Sequence, residues 1–344
     1  MIIDCHGHYT TAPKELLTFR DQQLAGITDK SRKPSSLDLG ITDDQIRASI
    51  DNYQLKFQKE RGTDLTIFSP RAAGMAHHIG DAQVQQDWAR VCNDLIARVC
   101  GLYPKNFIGA AQLPQVPGGD LGPAIAELER TVKELGFIGC NVNPDPSGGM
   151  WTGKPMTDRY WYPLYEKMVE LNVPGMVHVS NSCNACFHTT GAHYINGDTT
   201  AFMQFITGGQ QLFKDFPELT WIVPHGGGAV PYHWGRYRGL ALDAKLGELT
   251  ELLLKNVYFD TCVYHTPGLE LLTKVIPTDN ILFASEMVGA VKGIDPNTGN
   301  YFDDTKKYLD QLNLAEADKK KIFETNALKV FPLLGKVMKE RGIG

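Results

Sequence analysis

Four histidines and one glutamate occupy positions from which they could bind a metal ion. His6 and His8 are separated by one glycine at the end of a short apolar run, and alternate residues of a strand point to the same face. His178, His225 and Glu286 each end another apolar run. Three or more imidazoles with a carboxylate suit Zn²⁺ or a similar divalent cation. We therefore predict a metal centre built from these residues, provided that one fold gathers the ends of the runs.

Eight short apolar runs predict strands, and several are continuously apolar, as in strands that are buried on both faces. The predicted strands are Ile2–His8, Leu65–Pro70, Phe107–Pro114, Phe137–Pro144, Val173–Val179, Leu219–His225, Val257–Tyr264 and Ile281–Glu286. Between them, apolar residues recur every three or four positions, which predicts helices. The predicted helices are Asp87–Leu102, Pro123–Leu135, Tyr162–Leu171, Ala201–Phe213, Leu269–Val275 and Leu314–Phe331.

Eight repeats of strand and helix predict an α/β fold, namely a (β/α)8 TIM barrel. The segment Tyr9–Gln58 is too long for one loop and predicts a helical insertion after the first strand, including a helix at Thr42–Tyr53. Residues 181–200 form a second long connection. We expect one domain over residues 1–344. A doubly wound open sheet is the structural alternative, but its G-x-G-x-x-G turn after the first strand is missing.

The composition limits the classes of partner. The 34 Lys and Arg residues against 39 Asp and Glu give a net charge of −5, and no basic run occurs, so we expect no nucleic-acid partner. No apolar stretch reaches the ~18 residues of a transmembrane helix, and the first residues do not have the pattern of a signal peptide. Seven scattered cysteines favour reduced thiols. We therefore predict a cytoplasmic protein without a membrane partner.

Several stretches resemble the amidohydrolase superfamily and, within it, the branch that contains aminocarboxymuconate-semialdehyde decarboxylase. The H-x-H of the first strand, the histidines ending strands five and six and the acid ending strand eight carry the first resemblance. The stretches that carry the second are Ile3–His8, Ser69–Arg71, Asn143–Pro146, Asp158–Lys167, Pro224–Tyr232, Leu282–Glu286 and Gly293–Pro296. Most of the superfamily has Asp where this chain has Glu286. The glutamate makes the chain most similar to the 4-oxalomesaconate hydratases of this branch.

The resemblance implies a hydro-lyase. Its substrate would be 4-oxalomesaconate, a tricarboxylate from ring cleavage in gallate or protocatechuate degradation, and its product 4-carboxy-4-hydroxy-2-oxoadipate. We expect one divalent metal ion, Zn²⁺, with His6, His8, His178 and Glu286 as ligands, which would lower the pKa of bound water toward ~7. Glu286 is the predicted general base, and it could bind the metal directly or act from beside it. His225, the second predicted catalytic residue, would polarise the substrate or move a proton.

Cations must hold the carboxylates of such a substrate, and arginine is suited to this role. Arg71 directly follows the second predicted strand, at the mouth of the barrel. His193 and Tyr194 lie on the long connection after the fifth strand, which must cover that mouth, and His188 lies near them. Arg236 follows His225 by eleven residues. In the decarboxylases that the chain resembles, an arginine so placed reaches the neighbouring subunit's site. We therefore expect a homodimer or a higher homo-oligomer.

Three other functions remain open. The first is a decarboxylase of a hydroxybenzoate or semialdehyde acid on the same scaffold, which would use the same ligands. Glu286 favours the hydratase over it, because decarboxylation needs no base of that reach. The second is a hydrolase of a lactone or an amide. The third is a catalytically silent metal-binding protein, and the presence of both Glu286 and His225 argues against it.

Overall fold

The computed structural model describes residues 1–187 and 193–344. Short, buried, parallel strands alternate with helices along the described chain. The strands are β1 (Ile3–Tyr9), β2 (Leu65–Pro70), β3 (Phe107–Gly109), β4 (Ala111–Gln112), β5 (Cys140–Val142), β6 (Gly175–Val177), β7 (Trp221–Val223), β8 (Val257–Asp260) and β9 (Ile281–Leu282). The helices are α1 (Lys14–Thr28), α2 (Asp43–Asp51), α3 (Gln54–Arg61), α4 (Ala82–Leu102), α5 (Gly122–Lys133), α6 (Tyr162–Leu171), α7 (Tyr194–Asp215), α8 (Trp234–Asp243), α9 (Leu249–Leu253), α10 (Thr266–Val275), α11 (Thr305–Asp310), α12 (Glu316–Lys320), α13 (Asn326–Val330) and α14 (Leu334–Arg341).

β3 and β4 are two halves of the third barrel strand, interrupted at Ala110. The N–H of Ala110 donates to the carbonyl of Phe68 on one side, and the N–H of Ala111 donates to the carbonyl of Gly139 on the other, both at 2.9 Å. The interruption divides the pairing into the orders β1-β2-β3 and β4-β5-β6-β7-β8-β9. Since every pairing is parallel and follows chain order, the nine segments make eight barrel strands.

The barrel closes between the first and the last strand. Cys5 donates its backbone N–H to the carbonyl of Phe283, and Glu286 donates its own to the carbonyl of His6, each at 2.9 Å. These bonds continue β9 for a few residues beside β1. The predicted (β/α)8 barrel is therefore confirmed, and its closure brings the end of the last strand next to the histidines of the first.

The helical insertion after the first strand is also confirmed. It consists of α1, α2 and α3, and the sequence accounts for the last two. Thr42 caps α2 by accepting the N–H of Gln45, whose side chain bonds back to the Thr42 backbone, a reciprocal cap that stabilises a helix start. Gly62 ends α3 in the left-handed conformation (φ 69°), which glycine adopts at little cost.

A register shift in β1 sets which residues face the barrel interior. β1 gains one residue relative to β2 after Asp4. Ile3 and Cys5 belong to the apolar cluster that all eight strands build inside the barrel. A regular strand would turn even-numbered residues to the opposite face. The extra residue reverses the alternation, so that His6 and His8 face the same interior above the apolar floor.

Several element boundaries differ from the predicted ones. The predicted strand Val257–Tyr264 ends at Asp260, because the chain turns directly after it, where the N–H of Val263 donates to the carbonyl of Thr261 at 2.7 Å. Tyr264 then has a left-handed backbone (φ 65°), which is not that of a strand. The helix predicted at Ala201–Phe213 begins earlier, at Tyr194. Among residues 1–187 and 193–344, no helix combines the length and the hydropathy that crossing a bilayer requires.

Candidate metal centre and active site

Three imidazoles meet at the carboxyl end of the barrel. Nε2 of His6 lies 3.0 Å from Nε2 of His8 and 3.2 Å from Nε2 of His178. The Nε2 atoms of His8 and His178 are also 3.0 Å apart. All three side chains are buried. Burial, followed by the charges of neighbouring histidines, lowers the pKa values of His8 and His178 well below the usual range, so both rings are neutral at pH 7.

The other nitrogen of each ring is held by a separate partner. Nδ1 of His6 lies 2.8 Å from Oδ2 of Asp260, and Nδ1 of His8 lies 2.8 Å from the Ser69 hydroxyl. Nδ1 of His178 donates to the carbonyl of Val179 at 2.9 Å. Such partners orient histidines that bind metals and select the tautomer with a free Nε2 lone pair.

This donor set fits a divalent cation. A carboxylate and a carbonyl only accept hydrogen bonds, so His6 and His178 carry their protons on Nδ1. Their Nε2 atoms then face each other at 3.2 Å, an arrangement that needs a positive charge between them, which a metal cation would supply. Three imidazole nitrogens around one point match the histidine ligands of zinc-type sites.

The Glu286 carboxylate lies beside the three imidazoles. Its Oε1 is 3.9 Å from Nε2 of His8, and its Oε2 is 3.7 Å from Nε2 of His225. One ligand atom from each of His6, His178, His225 and Glu286 fits within a mutual distance of 4.8 Å. With the Nε2 contacts of His8 given above, the four residues predicted as metal ligands (His6, His8, His178 and Glu286) lie together, and His225 borders them.

A carboxylate that was not predicted from the sequence stabilises the protonated form of His225. Oδ2 of Asp198, a fully buried residue of α7, lies 2.8 Å from Nδ1 of His225. Burial alone would lower the pKa of His225, but Asp198, aided by the Glu286 charge, raises it to about 9. Burial raises the pKa of Asp198 to about 6. At neutral pH the two side chains therefore form an ion pair, with the N–H of Nε2 directed toward the cavity.

A glycine allows Asp198 to reach His225. Gly228 lies three residues after His225 and has φ 62°. A Cβ at this position would lie 2.8 Å from the carbonyl of Ile195 in α7. The backbone of the next residue, Ala229, also bonds to the Thr199 hydroxyl of α7 at 3.0 Å. Only glycine combines this left-handed backbone with so close an approach.

Three site residues that are not glycine have left-handed backbones: His225 (φ 53°), Tyr264 (φ 65°) and Glu286 (φ 49°). They follow β7, β8 and β9, which are neighbours in the barrel. Such conformations cost about 1–3 kcal/mol each and persist where the surroundings enforce them, typically at functional sites. These backbone conformations direct the three side chains toward the same point above the barrel.

The cavity above these residues has a volume of about 280 Å³. His8, His178, His225 and Glu286 form its floor, and its wall includes three predicted substrate-binding residues, Arg71, His193 and Tyr194. The ring of Tyr194 lies 4.4 Å from that of His225, centroid to centroid.

Arg71 is exposed at the cavity wall. Among the described residues, no hydrogen bond or ion pair engages its guanidinium. Arg236 does not line the cavity and is exposed on α8, so its predicted contact with a neighbouring subunit stays a prediction. His188 lies outside the described residues.

The carboxylate of Asp260 and the thiol of Cys262 lie together beneath the imidazoles. Sγ of Cys262 is 3.8 Å from Nδ1 of His6. Asp260, however, already accepts the backbone N–H groups of Gly226 and Cys262, at 3.2 and 3.0 Å, besides the His6 ring. Burial opposes its ionisation, but the hydrogen bond from His6 lowers the pKa of Asp260. The cluster therefore orients His6 and joins strand β1 to the loops that follow β7 and β8.

Sequence comparison assigns the chain to a family. Residues 3–333 match the amidohydrolase family. The chain is 58% identical over 343 residues to 2-keto-4-carboxy-3-hexenedioate hydratase from Sphingobium sp., covering 100% of this chain and 99% of the relative. It is 29% identical over 301 residues to gamma-resorcylate decarboxylase from Polaromonas sp., covering 83% and 88% of the two chains.

Structural comparison agrees. The crystal structure of 4-oxalomesaconate hydratase from Rhodopseudomonas palustris matches with a TM-score of 0.92 and 57% identity, covering 99% of each chain. The structure of 5-carboxyvanillate decarboxylase from Novosphingobium aromaticivorans with bound manganese, at 20% identity, has a TM-score of 0.70 over 97% of each chain and the same fold. The resemblance predicted from the sequence is thus confirmed, and the chain belongs to the amidohydrolase family.

Proposed function

We propose that the protein is a metal-dependent hydratase that converts 4-oxalomesaconate into 4-carboxy-4-hydroxy-2-oxoadipate during the degradation of aromatic acids. One observation carries the proposal: the chain is 58% identical, over its whole length, to a hydratase of 2-keto-4-carboxy-3-hexenedioate. The gamma-resorcylate decarboxylase relatives are only 25–29% identical over about five-sixths of the chain. The geometry of Glu286 and His225 supports the same chemistry.

The substrate determines what the site must do. Its C=C bond is conjugated to a ketone, so the water oxygen adds to the carbon farther from the ketone. The pair of π electrons moves toward the ketone oxygen, and a proton is then added to the nearer carbon. One O–H bond of water breaks, one C–O and one C–H bond form, and water is added without a net change in oxidation state. A base, an acid and cations for the carboxylates are required.

His6, His8, His178 and Glu286 would hold the metal ion, which supplies Lewis acidity and lowers the pKa of water toward ~7. The protein residues divide the proton transfers according to their charges. Glu286, as an anionic carboxylate, accepts the proton of the attacking water. His225, kept protonated by Asp198, stabilises the developing negative charge and delivers the proton to carbon. Since Oε2 of Glu286 and Nε2 of His225 are 3.7 Å apart, proton transfer between them would restore both residues.

Arg71 is the proposed anchor for one substrate carboxylate. It is the wall cation without a protein partner among the described residues, and a guanidinium binds a carboxylate with two parallel hydrogen bonds. His193 and Tyr194, which also line the cavity, would contact the substrate as well. In a chain of net charge −5, such local cations are needed to offset the general repulsion of a tricarboxylate.

We further propose Zn²⁺ as the metal, a homodimer or higher homo-oligomer that places Arg236 near a neighbouring site, a cytoplasmic location and a single domain over residues 1–344. The three converging imidazoles support zinc, and the bound manganese of a related decarboxylase structure makes Mn²⁺ the ion to compare. Elemental analysis of protein purified without chelators and light scattering in solution test the metal and the assembly.

A paired assay tests the reaction. The purified protein is given 4-oxalomesaconate, and loss of the absorbance of the conjugated C=C bond is followed. A parallel reaction with 2,6-dihydroxybenzoate is monitored for CO2. We expect hydration without CO2 release. Release of CO2 without hydration would instead identify a decarboxylase and overturn the proposal.

A further inference from the structure

We propose that Tyr264 is a positioning residue that fixes the plane of the Glu286 carboxylate, so that one oxygen faces the three imidazoles while the other faces His225. The inference rests on the proposed function, because it assigns separate tasks to the two oxygens. Tyr264 was not among the residues predicted from the sequence, and it does not line the cavity.

The contacts of Glu286 distinguish its two oxygens. The Tyr264 hydroxyl donates to Oε2 at 3.3 Å, and Oε2 is also the oxygen that faces His225. Oε1 faces His8. Within the described part of the chain, the hydroxyl of Tyr264 is the one side-chain group within hydrogen-bond distance of this carboxylate. Without it, the carboxylate plane could rotate away from this orientation, since the torsion about the last side-chain bond is broad.

The loop that carries Tyr264 is tied to the strand that carries Glu286. The Thr261 hydroxyl donates to the carbonyl of Ala284 and accepts its N–H, both at 2.8 Å. The Tyr264 hydroxyl also donates to the carbonyl of Ser285 at 3.2 Å, so its one proton is shared between this carbonyl and Oε2 of Glu286. Tyr264 itself is held in a left-handed backbone conformation (φ 65°), which bulky residues rarely adopt. These contacts fix the hydroxyl relative to the carboxylate before any ligand binds.

In this arrangement the two oxygens of the Glu286 carboxylate have different tasks. Oε1 is directed to the metal ligands, and Oε2 is held in place for proton exchange with His225. The hydroxyl contributes no proton to the reaction and touches neither substrate nor metal. Its removal should therefore affect turnover and the geometry of the metal site, while substrate affinity changes little.

The test compares Tyr264→Phe with Tyr308→Phe. Both substitutions delete one hydroxyl, but that of Tyr308 is buried without a hydrogen-bond partner among the described residues. Each protein is loaded with Co²⁺, whose visible absorption responds to the number and arrangement of its ligands, and Co²⁺ affinity is measured by competition with a chelator. We expect Tyr264→Phe to change the absorption band and to lower kcat or Co²⁺ affinity about 10- to 100-fold, with KM for 4-oxalomesaconate nearly unchanged. Tyr308→Phe should match the unmodified protein.

A double-mutant cycle separates positioning from a merely structural role. If Tyr264 acts through Glu286, Tyr264→Phe should have no further effect on Co²⁺ affinity in the Glu286→Ala background, where no side-chain oxygen remains to accept its hydroxyl. Equal effects in both backgrounds, or an unchanged band and kcat in Tyr264→Phe, would overturn the proposal. If Tyr264→Phe does not fold, Thr261→Val, which loosens the same loop, should shift the Co²⁺ band in the same direction, and an unchanged band would again overturn it. Because the Co²⁺ measurements need no substrate, they decide this point even if the unmodified protein does not hydrate 4-oxalomesaconate.

Discussion

The carboxylate of Glu286 lies 3.7 Å from the imidazole of His225, although the two residues follow barrel strands that are separated by β8. The charges of the pair differ because their surroundings differ. Asp198 keeps His225 protonated, while Glu286 is the carboxylate that faces it. Two titratable groups with separate protonation states, placed side by side, form an acid and a base, and several predictions depend on this pair.

Replacement of Glu286 by glutamine should abolish most of the hydratase activity. The amide has nearly the same shape but cannot accept the proton of water, and general-base catalysis contributes about 10²- to 10⁴-fold. We expect kcat to fall by at least about 10²-fold in a steady-state assay. Glu316→Gln is the matched control, because Glu316 is 90% exposed and should retain full activity. Activity of Glu286→Gln near that of the control would contradict the role of Glu286 as base.

Substitution of Asp198 by asparagine should move the alkaline limb of the pH–rate profile. Asp198 raises the pKa of His225 to about 9, so the protonated form persists through neutral pH and is lost as pH rises toward 9. Without the carboxylate, the pKa of His225 should fall toward or below the usual ~6.5, and activity should decline already near neutral pH. Profiles of kcat/KM for the two proteins give the comparison. Coinciding alkaline limbs would mean that protonated His225 is not required.

The same pKa predicts the pH dependence of stability in the chelator-treated protein. The folded-state pKa of His225 is raised to about 9 above its unfolded value of ~6.5. Its stabilising contribution is therefore fully present below about pH 6.5 and is lost as pH rises through about 9. Between pH 7 and pH 9.5 we expect the free energy of unfolding to decrease more in the original protein than in His225→Gln. Parallel denaturant titrations at several pH values measure the difference, and equal slopes would exclude this ion pair as its source.

The sequence predicts the eight barrel strands, many of the helices between them and the polar residues at the strand ends, because these signals are local. A polar H-x-H that ends an apolar run, such as that containing His6, is visible without a structure. Asp198 was missed because it lies in a helix 27 residues before His225, and only tertiary packing brings the two together. Asp260 is not predicted as a site residue, because the predicted strand extends to Tyr264 and places the acid within the strand. A polar residue near the end of a barrel strand is nevertheless a usable signal.

Asp260 should control metal affinity through His6. Its Oδ2 is 2.8 Å from Nδ1 of His6, and the loss of such a carboxylate partner typically costs about 10- to 100-fold in metal affinity or activity. We expect Asp260→Asn to weaken Zn²⁺ binding by this factor, measured by competition with a chromogenic chelator. Asp279→Asn, at a 61% exposed side chain, is the control. Unchanged affinity in Asp260→Asn would show that His6 does not depend on this partner, or that it is not a ligand.

Arg71 should determine the affinity for the tricarboxylate. Its guanidinium lines the cavity without a protein partner among the described residues, and a hydrogen-bonded charge pair contributes about 1.5–3 kcal/mol. We therefore expect Arg71→Met to raise KM for 4-oxalomesaconate about 10- to 100-fold, with a smaller effect on kcat, since the anchored carboxylate does not react. Arg159→Met, at another exposed arginine, should leave KM unchanged. Arg71→Lys should recover only part of the affinity, because an ammonium cannot make the two parallel bonds of a guanidinium. Full recovery with lysine would indicate that Arg71 acts by charge alone, and an unchanged KM in Arg71→Met would remove it from the substrate site.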